Sequence, residues 1–151
     1  MAESFKSFQE LECWKLAFKV KMAVREILKS LPKHEQYDII DNMRRASRSC
    51  TRNIAEGFGR FHYQEKIQFC RVSRGSMFEI WDDIITCYED KYIDQVKYYQ
   101  TVELIQHALK VLNGYISYLE RTKAEDNNLR EPDEMLIYSM DLKNDDNNPI
   151  T

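Results

Sequence analysis

The stretch from residue 40 to residue 57, IDNMRRASRSCTRNIAEG, decides the fold because a row of small and apolar residues runs through it at helical spacing. The members of the row are Ile40, Met43, Ser47, Cys50 and Ile54. They alternate steps of three and four residues and therefore share one face of a helix. We predict that this helix begins near residue 34 or 35 and ends at Gly57, with the glycine as a left-handed cap.

The same spacing predicts three further helices, over residues 7–31, 63–88 and 94–123. Pro32 ends the first of them, and Asp94 caps the last. Four amphipathic helices joined by short loops favour an all-α fold, an antiparallel up-down four-helix bundle.

Some expectations about packing follow from the third and fourth helices. The residues expected on the inward face of the third helix are Phe69, Val72, Ser76, Ile80, Ile84 and Cys87. Those expected to supply the apolar surface of the fourth are Val96, Tyr99, Leu104, Ile105, Ala108, Leu112, Tyr115, Ile116 and Leu119. Gly75 stands in the middle of the third helix, where glycine costs about 1 kcal/mol relative to alanine. Its presence there indicates close approach of a neighbouring helix.

The last 28 residues differ in composition from the rest. Residues 124–151 hold eight acidic and two basic side chains and two of the three prolines. We therefore predict two parts, a bundle over residues 1–123 and a disordered acidic tail over residues 124–151.

The composition places the chain among soluble globular domains. Its 151 residues are 43% hydrophobic and 31% charged, with only four glycines and three prolines. No apolar run approaches the ~20 residues of a membrane span, and no leader segment is evident, so we expect a cytoplasmic protein. The four cysteines, which form no CxxC pair, are expected to be small buried groups in a reducing compartment: Cys13, Cys50, Cys70 and Cys87.

Positive charge is concentrated in one part of this acidic chain. Between residues 44 and 74 there are eight basic and two acidic side chains, a net +6, whereas the whole chain carries −3. Arg44, Arg48 and Arg52 recur every fourth residue and form one stripe on the second helix, with Arg45 beside it. The candidate nucleic-acid-binding residues are Arg44, Arg45, Arg48, Arg52, Arg60, Arg71 and Arg74.

Catalytic and metal-binding patterns are missing from the sequence. His34, His62 and His107 belong to no metal-ligand spacing, and no glycine-rich phosphate loop precedes a helix. We therefore expect no enzyme, no cofactor and no metal.

Asn53 and Glu56 stand near the end of the second helix, where polar side chains serve the fold more often than a ligand. The helix dipole disfavours an anion at this end, so we expect Glu56 to pair with an arginine, either Arg52 or one across the bundle. Asn53 is expected to satisfy backbone groups at the turn.

Several short motifs together resemble a known family. The chain carries Arg44-Arg45-Ala46, Ser49, the run Asn53-Ile54-Ala55-Glu56-Gly57, Arg74-Gly75-Ser76 with Glu79, and Tyr92-Ile93. Over about residues 5–123 it resembles the four-helix-bundle proteins encoded in intervening sequences of bacterial 23S ribosomal RNA genes. That family includes the accessory variability determinant protein of diversity-generating retroelements.

The resemblance implies a ring-like pentamer. For the retroelement member, it also implies a basic surface that binds nucleic acid and a reverse transcriptase. It further marks six residues as a structural motif: Asn53, Glu56, Gly57, Gly75, Ser76 and Glu79.

Two interpretations of the arginines remain open. In the first, the chain is a non-catalytic oligomeric accessory protein whose basic helix binds RNA, DNA or a reverse-transcriptase-like partner. In the second, it is a homo-oligomeric scaffold or adaptor in which the same arginines form structural salt bridges with a neighbouring subunit or with the tail.

Overall fold

A computed structural model describes residues 6–130, with side chains through residue 127, and all of its long elements are helices. The four helices are α1 (Glu12–Ser30), α2 (Ile39–Phe58), α3 (Tyr63–Glu89) and α4 (Gln95–Arg130). Short 3₁₀ turns at Phe8–Glu10 and Lys33–Glu35 precede α1 and α2. The predicted all-α class is confirmed.

The helices form a bundle in cyclic order. α2 packs against α1 and α3, α4 packs against α3 and α1, and the most extensive contact joins α2 to α3. Because the connections are short, consecutive helices run antiparallel. The α1–α2 face and the α3–α4 face therefore lie on opposite sides of the bundle.

The predicted row on α2 forms part of the core. Met43, Cys50 and Ile54 are fully buried, and Ile40 is 4% exposed. Burying a side chain of this size stabilises the fold by about 1.5–3 kcal/mol. All four cysteines are buried and free, as predicted, and burial raises the pKa of the Cys13, Cys50 and Cys87 thiols to about 12.

The first two helices begin later than predicted. Ser7 caps only the 3₁₀ turn, its Oγ accepting from the Gln9 amide, and Leu11 is extended (φ −69°, ψ 125°), so α1 begins at Glu12. The residues after Pro32 likewise form a 3₁₀ turn, and Asp38 (φ −123°, ψ −106°) interrupts the helical path before Ile39. Hydrophobic spacing alone does not report such breaks.

Gly57 is not the left-handed cap that we predicted. α2 continues through Phe58, and no glycine within residues 6–130 has a positive φ. A Cβ on Gly57 would lie 2.9 Å from Phe69 Cβ and 3.2 Å from the Lys66 carbonyl oxygen. Glycine is required here because α2 and α3 approach closely.

Gly75 was predicted to mark a close helix contact, and this prediction is wrong. The residue is exposed, and a Cβ built on it would meet nothing within 4 Å. The neighbouring Ser73 and Ser76 are the buried small residues of α3. The close helix contact that was expected at Gly75 is therefore found at Gly57 instead.

Most of the side chains expected on the inward faces of α3 and α4 are buried or half-buried, but three face outward. Val72 is 45% exposed, Val96 64% and Tyr99 59%, while Phe69 is half-buried against α2. The inward row of α3 contains the predicted Ser76, Ile80, Ile84 and Cys87 together with Ile67, Cys70, Ser73 and Met77.

The last helix begins as predicted and ends later. Asp94 Oδ1 accepts a hydrogen bond from the Lys97 amide, which is the predicted N-terminal cap. α4 then runs to Arg130, seven residues past the predicted boundary. The predicted disordered tail spans residues 124–151: residues 124–130 are helical instead, which corrects the prediction there, and residues 131–151 lie outside the described residues. None of the helices within residues 6–130 combines the length and the apolar character that a membrane span requires.

Candidate nucleic-acid interface

A groove of about 460 Å³ runs along the outside of the bundle between α1 and α2. Five of its eight lining side chains are basic, two are apolar and one is a serine: Lys21, Arg25, Lys29, Arg44, Arg48, Met22, Leu28 and Ser47. None of them is acidic. We call this feature the α1–α2 groove.

The basic residues form a row on each wall of the groove, with one member every four residues. The rows are Lys21, Arg25 and Lys29 on α1, and Arg44, Arg48 and Arg52 on α2. Residues four apart on a helix lie about 6 Å apart along its axis, so each row presents evenly spaced charge. Because the helices are antiparallel, Arg52 continues its row past the end of the groove where Lys21 lies.

The charges of the groove have few acidic partners. Lys29 pairs with Glu26 at 2.8 Å, through two side chains that are more than 60% exposed. Within residues 6–127, Lys21, Arg25, Arg44 and Arg48 make no ion pair. Like charges at this spacing repel each other by a few tenths of a kcal/mol per pair. Four of the five basic side chains of the groove therefore have no ion-pair partner among these residues.

Arg45, also on α2, belongs to a different surface. It donates to Asn42 Oδ1 at 2.6 Å, and Asn42 Nδ2 in turn donates to Asp83 Oδ2 on α3 at 2.6 Å. Partial burial raises the pKa of Asp83 above its usual value, although the hydrogen bond from Asn42 opposes this. Arg45 thus lies on the α2–α3 side, away from the groove.

Three of the seven predicted arginines already have partners elsewhere in the bundle. Arg60 pairs with Glu56 at 2.8 Å and stacks over the Phe69 ring at 4.9 Å. Arg71 pairs with Glu120 at 3.2 Å. Arg74, on the same α3–α4 face, donates to Asn113 Oδ1 at 3.1 Å. The seven arginines therefore do not form one continuous surface.

The structural motif joins α2 to α3. Asn53 Nδ2 donates to the Ser49 carbonyl oxygen at 2.8 Å and to Ser49 Oγ at 2.9 Å. Ser76 Oγ donates to Ser49 Oγ at 2.8 Å, and Ser73 Oγ to the Cys50 carbonyl oxygen at 2.7 Å. Asn53 thus serves the seam between the helices rather than the turn.

The remaining members of the motif differ in environment. Glu56 pairs with an arginine as expected, but the partner is Arg60 and not Arg52. Gly57 is buried against α3, whereas Gly75 and Glu79 are exposed on its outer surface.

A second cavity, of about 500 Å³, lies at the end of the bundle between the α2–α3 turn and α4. It also has basic side chains, but these already bind neighbours. Arg60 pairs with Glu56, Lys66 Nζ donates to the Phe58 carbonyl oxygen at 3.0 Å, and Lys123 donates to Gln64 Oε1. The α1–α2 groove is therefore the stronger candidate for an anionic ligand.

Among the residues that the structure describes, no cluster of three or more His, Cys, Asp or Glu could hold a metal ion.

The sequence matches the family described as 23S rRNA-intervening sequence protein over residues 9–114, more than two thirds of the chain. The chain belongs to the 23S rRNA-intervening sequence protein family. No curated protein matches it.

The family match includes both walls of the groove as well as the α2–α3 seam. It ends at residue 114, within α4, so the acidic C-terminal residues lie outside the part that defines a 23S rRNA-intervening sequence protein.

The α1 row was missed by the sequence reasoning, although a signal for it exists. Lys21, Arg25 and Lys29 repeat every fourth residue, which is the spacing that drew attention to the arginines of α2. Two such rows on consecutive antiparallel helices predict a doubly walled basic groove only if both rows face the same side. The rotation of α1 against α2 decides that, and it depends on the whole core.

Proposed function

We propose that this protein is a non-catalytic accessory protein that binds nucleic acid through the α1–α2 groove. One observation carries the proposal: five basic side chains from two helices line one groove that has no acidic side chain. Arginine suits this role because its planar guanidinium donates two parallel hydrogen bonds to a phosphate.

The charges around the groove favour a bound polyanion, rather than salt bridges within the chain, as the partner of the arginines. If the arginines served the fold of the single chain, acidic side chains would face them across the groove. Arg44 and Arg48 meet Lys21 and Arg25 there instead. Holding like charges together costs stability, and a bound phosphate chain would offset that cost.

Salt dependence tests the proposal directly. We expect the logarithm of the affinity for a labelled RNA or DNA to fall linearly with the logarithm of salt concentration. With about three phosphates neutralised, the slope is about −2 for a single strand and about −3 for a duplex. Fluorescence anisotropy between ~50 and 200 mM salt measures it. Affinity that is independent of salt, or no binding at the lowest salt, contradicts the proposal.

A second candidate function, that of a homo-oligomeric scaffold, is favoured by an apolar surface on α3. Phe78 is 52% exposed and Ile85 40% exposed, and the Phe78 ring stacks on Trp81 at 6.0 Å. Exposed apolar groups close together on one helix are typical of subunit contacts. We propose that this surface joins copies of the chain, as in the pentamer that the resemblance implies. In such an assembly the basic side chains of the groove pair with acidic side chains of a neighbouring copy.

A reverse transcriptase remains a partner proposed from the resemblance alone.

Light scattering on the purified protein tests the scaffold. We expect an oligomer whose mass falls towards that of the monomer in Phe78→Ser, because the variant removes apolar area from the contact. Phe61→Ser is the control, since Phe61 is 80% exposed on the α2–α3 turn, outside the α3 surface. A monomeric parent protein, or equal dissociation in both variants, contradicts the scaffold.

A further inference from the structure

The shape and lining of the α1–α2 groove favour one form of nucleic acid over the other. We infer that it takes a single strand, with the sugar–phosphate backbone along the two basic rows and an unpaired base on Phe18. This inference rests on the proposed function and narrows its substrate class. The inference applies to single-stranded RNA and single-stranded DNA alike, because both have the phosphates and base faces on which it depends.

The spacing of the two basic rows matches the spacing of phosphates along one nucleic-acid strand. Each row repeats at about 6 Å, a step close to the separation of successive phosphates along an extended strand. Packed helices have axes 8–10 Å apart as a rule, so both rows can contact the phosphates of one strand that lies along the crevice between them. From Lys21 to Lys29 the groove extends about 12 Å, enough for two or three phosphates between the walls.

The floor of the groove is suited to a strand whose bases are unpaired. Met22 and Leu28 are half-buried there, and they offer apolar surface between the charged walls. A single strand can cover such a floor with sugars and base faces, whereas a duplex keeps its base faces stacked inside. Ser47, the polar uncharged side chain of the groove, donates its hydroxyl to the Arg44 carbonyl oxygen at 3.0 Å. Recognition is therefore of the backbone and not of a particular base sequence.

An aromatic ring stands at one end of the groove. Phe18 lies one turn before Lys21 and Met22 on α1, and it is 38% exposed. Its ring stacks on Trp14, with centroids 5.3 Å apart and planes 22° from parallel. Because Trp14 and Phe18 share the α2-facing side of α1 with Lys21, the ring extends the groove at the end that Arg52 also approaches.

Lys21 connects the ring to the charged row. Its Nζ lies 5.7 Å from the Phe18 centroid, at the outer limit of a cation–π contact. A phosphate in the groove would draw this flexible side chain off the ring and free the ring face for a base. A basic groove that ends at an exposed aromatic ring is the usual arrangement of proteins that bind single strands without sequence preference.

The test compares one labelled 12-nucleotide strand with the blunt duplex of the same sequence, as RNA and as DNA, at one salt concentration. We expect the full-length protein to bind the single strand at least about 10-fold more tightly than the duplex.

Variants of Phe18 test the role of the ring. Phe18→Leu removes the aromatic ring but keeps an apolar side chain, and we expect it to weaken single-strand binding about 10-fold and duplex binding by less than about twofold. Phe18→Tyr is expected to retain single-strand affinity. Tyr99→Leu, which removes an exposed ring from α4, is the matched control.

Tryptophan fluorescence gives a second readout that a purely structural role of Phe18 would not change. In a Trp81→Phe background, Trp14 is the only tryptophan, and its emission should change when a base stacks on the ring beside it. Equal or tighter duplex binding, with Phe18→Leu indistinguishable from the parent, overturns the single-strand inference and leaves the proposed function standing. No binding of either form overturns the proposed function itself.

Discussion

Reversing one charge on each wall of the groove, Arg25→Glu together with Arg48→Glu, is expected to weaken nucleic-acid binding by at least about 100-fold near 0.1 M salt. Each change removes a phosphate contact and places a carboxylate where a phosphate would lie. Because the two residues belong to different helices, the variant interrupts both rows at once. Anisotropy titrations of parent and variant with the same RNA measure the difference, and the salt slope should become about 1.5 units shallower for a single strand.

The α3–α4 face supplies a control of equal charge change. Arg71→Glu with Arg74→Glu alters the net charge by the same amount on the opposite side of the bundle, where these residues contact Glu120 and Asn113. We expect this variant to bind within about fivefold of the parent, because only the long-range field changes. Equal losses in both variants would mean that overall charge, and not the groove, governs binding. Circular dichroism should show native helicity for the groove variant, since Arg25 and Arg48 are exposed.

Replacing the two mid-chain glycines by alanine is expected to change stability in opposite directions. In Gly57→Ala the new methyl group meets Phe69 Cβ at 2.9 Å and the Lys66 carbonyl oxygen at 3.2 Å. Neither atom is at the end of a flexible side chain, so α2 and α3 must separate. The overpacking cost of about 1–3 kcal/mol exceeds the helix-propensity gain of just under ~1 kcal/mol. The free energy of unfolding should therefore fall.

Gly75→Ala is the matched variant. A methyl group there meets nothing within 4 Å, so only the propensity gain remains. We expect the free energy of unfolding to rise by about 0.5–1 kcal/mol. Urea titrations followed by circular dichroism measure both variants. If Gly57→Ala were also stabilising, the close α2–α3 contact at this point would be refuted.

The helices could be predicted from the sequence because their signals are local. The inward row on α2, the end of α1 before Pro32 and the cap at Asp94 each depend on residues a few positions apart. Errors arose where a local signal had two physical causes. A glycine near a helix end indicates either a left-handed cap or a close contact, and only the neighbouring Phe69 distinguishes them at Gly57.

The candidate site could be predicted only in part. The stripe from Arg44 to Arg52 was visible because its spacing lies on one helix. The division of the predicted arginines among several surfaces was not visible, because it depends on contacts between helices. Arg45, for example, donates to Asn42, which in turn donates to Asp83 on α3. Contacts such as Arg71 with Glu120 join residues 49 positions apart, and no local pattern reports them.

The sequence by itself therefore determined the helical class, the short connections that make neighbours antiparallel, and the presence of two evenly spaced basic rows. Periodicity suffices for these because each is a property of one segment. Only the tertiary structure decided that the rows of α1 and α2 face each other across one groove without acidic side chains. The rotation of each helix about its axis is set by how all four apolar faces pack together, and that rotation selects which charged residues become neighbours.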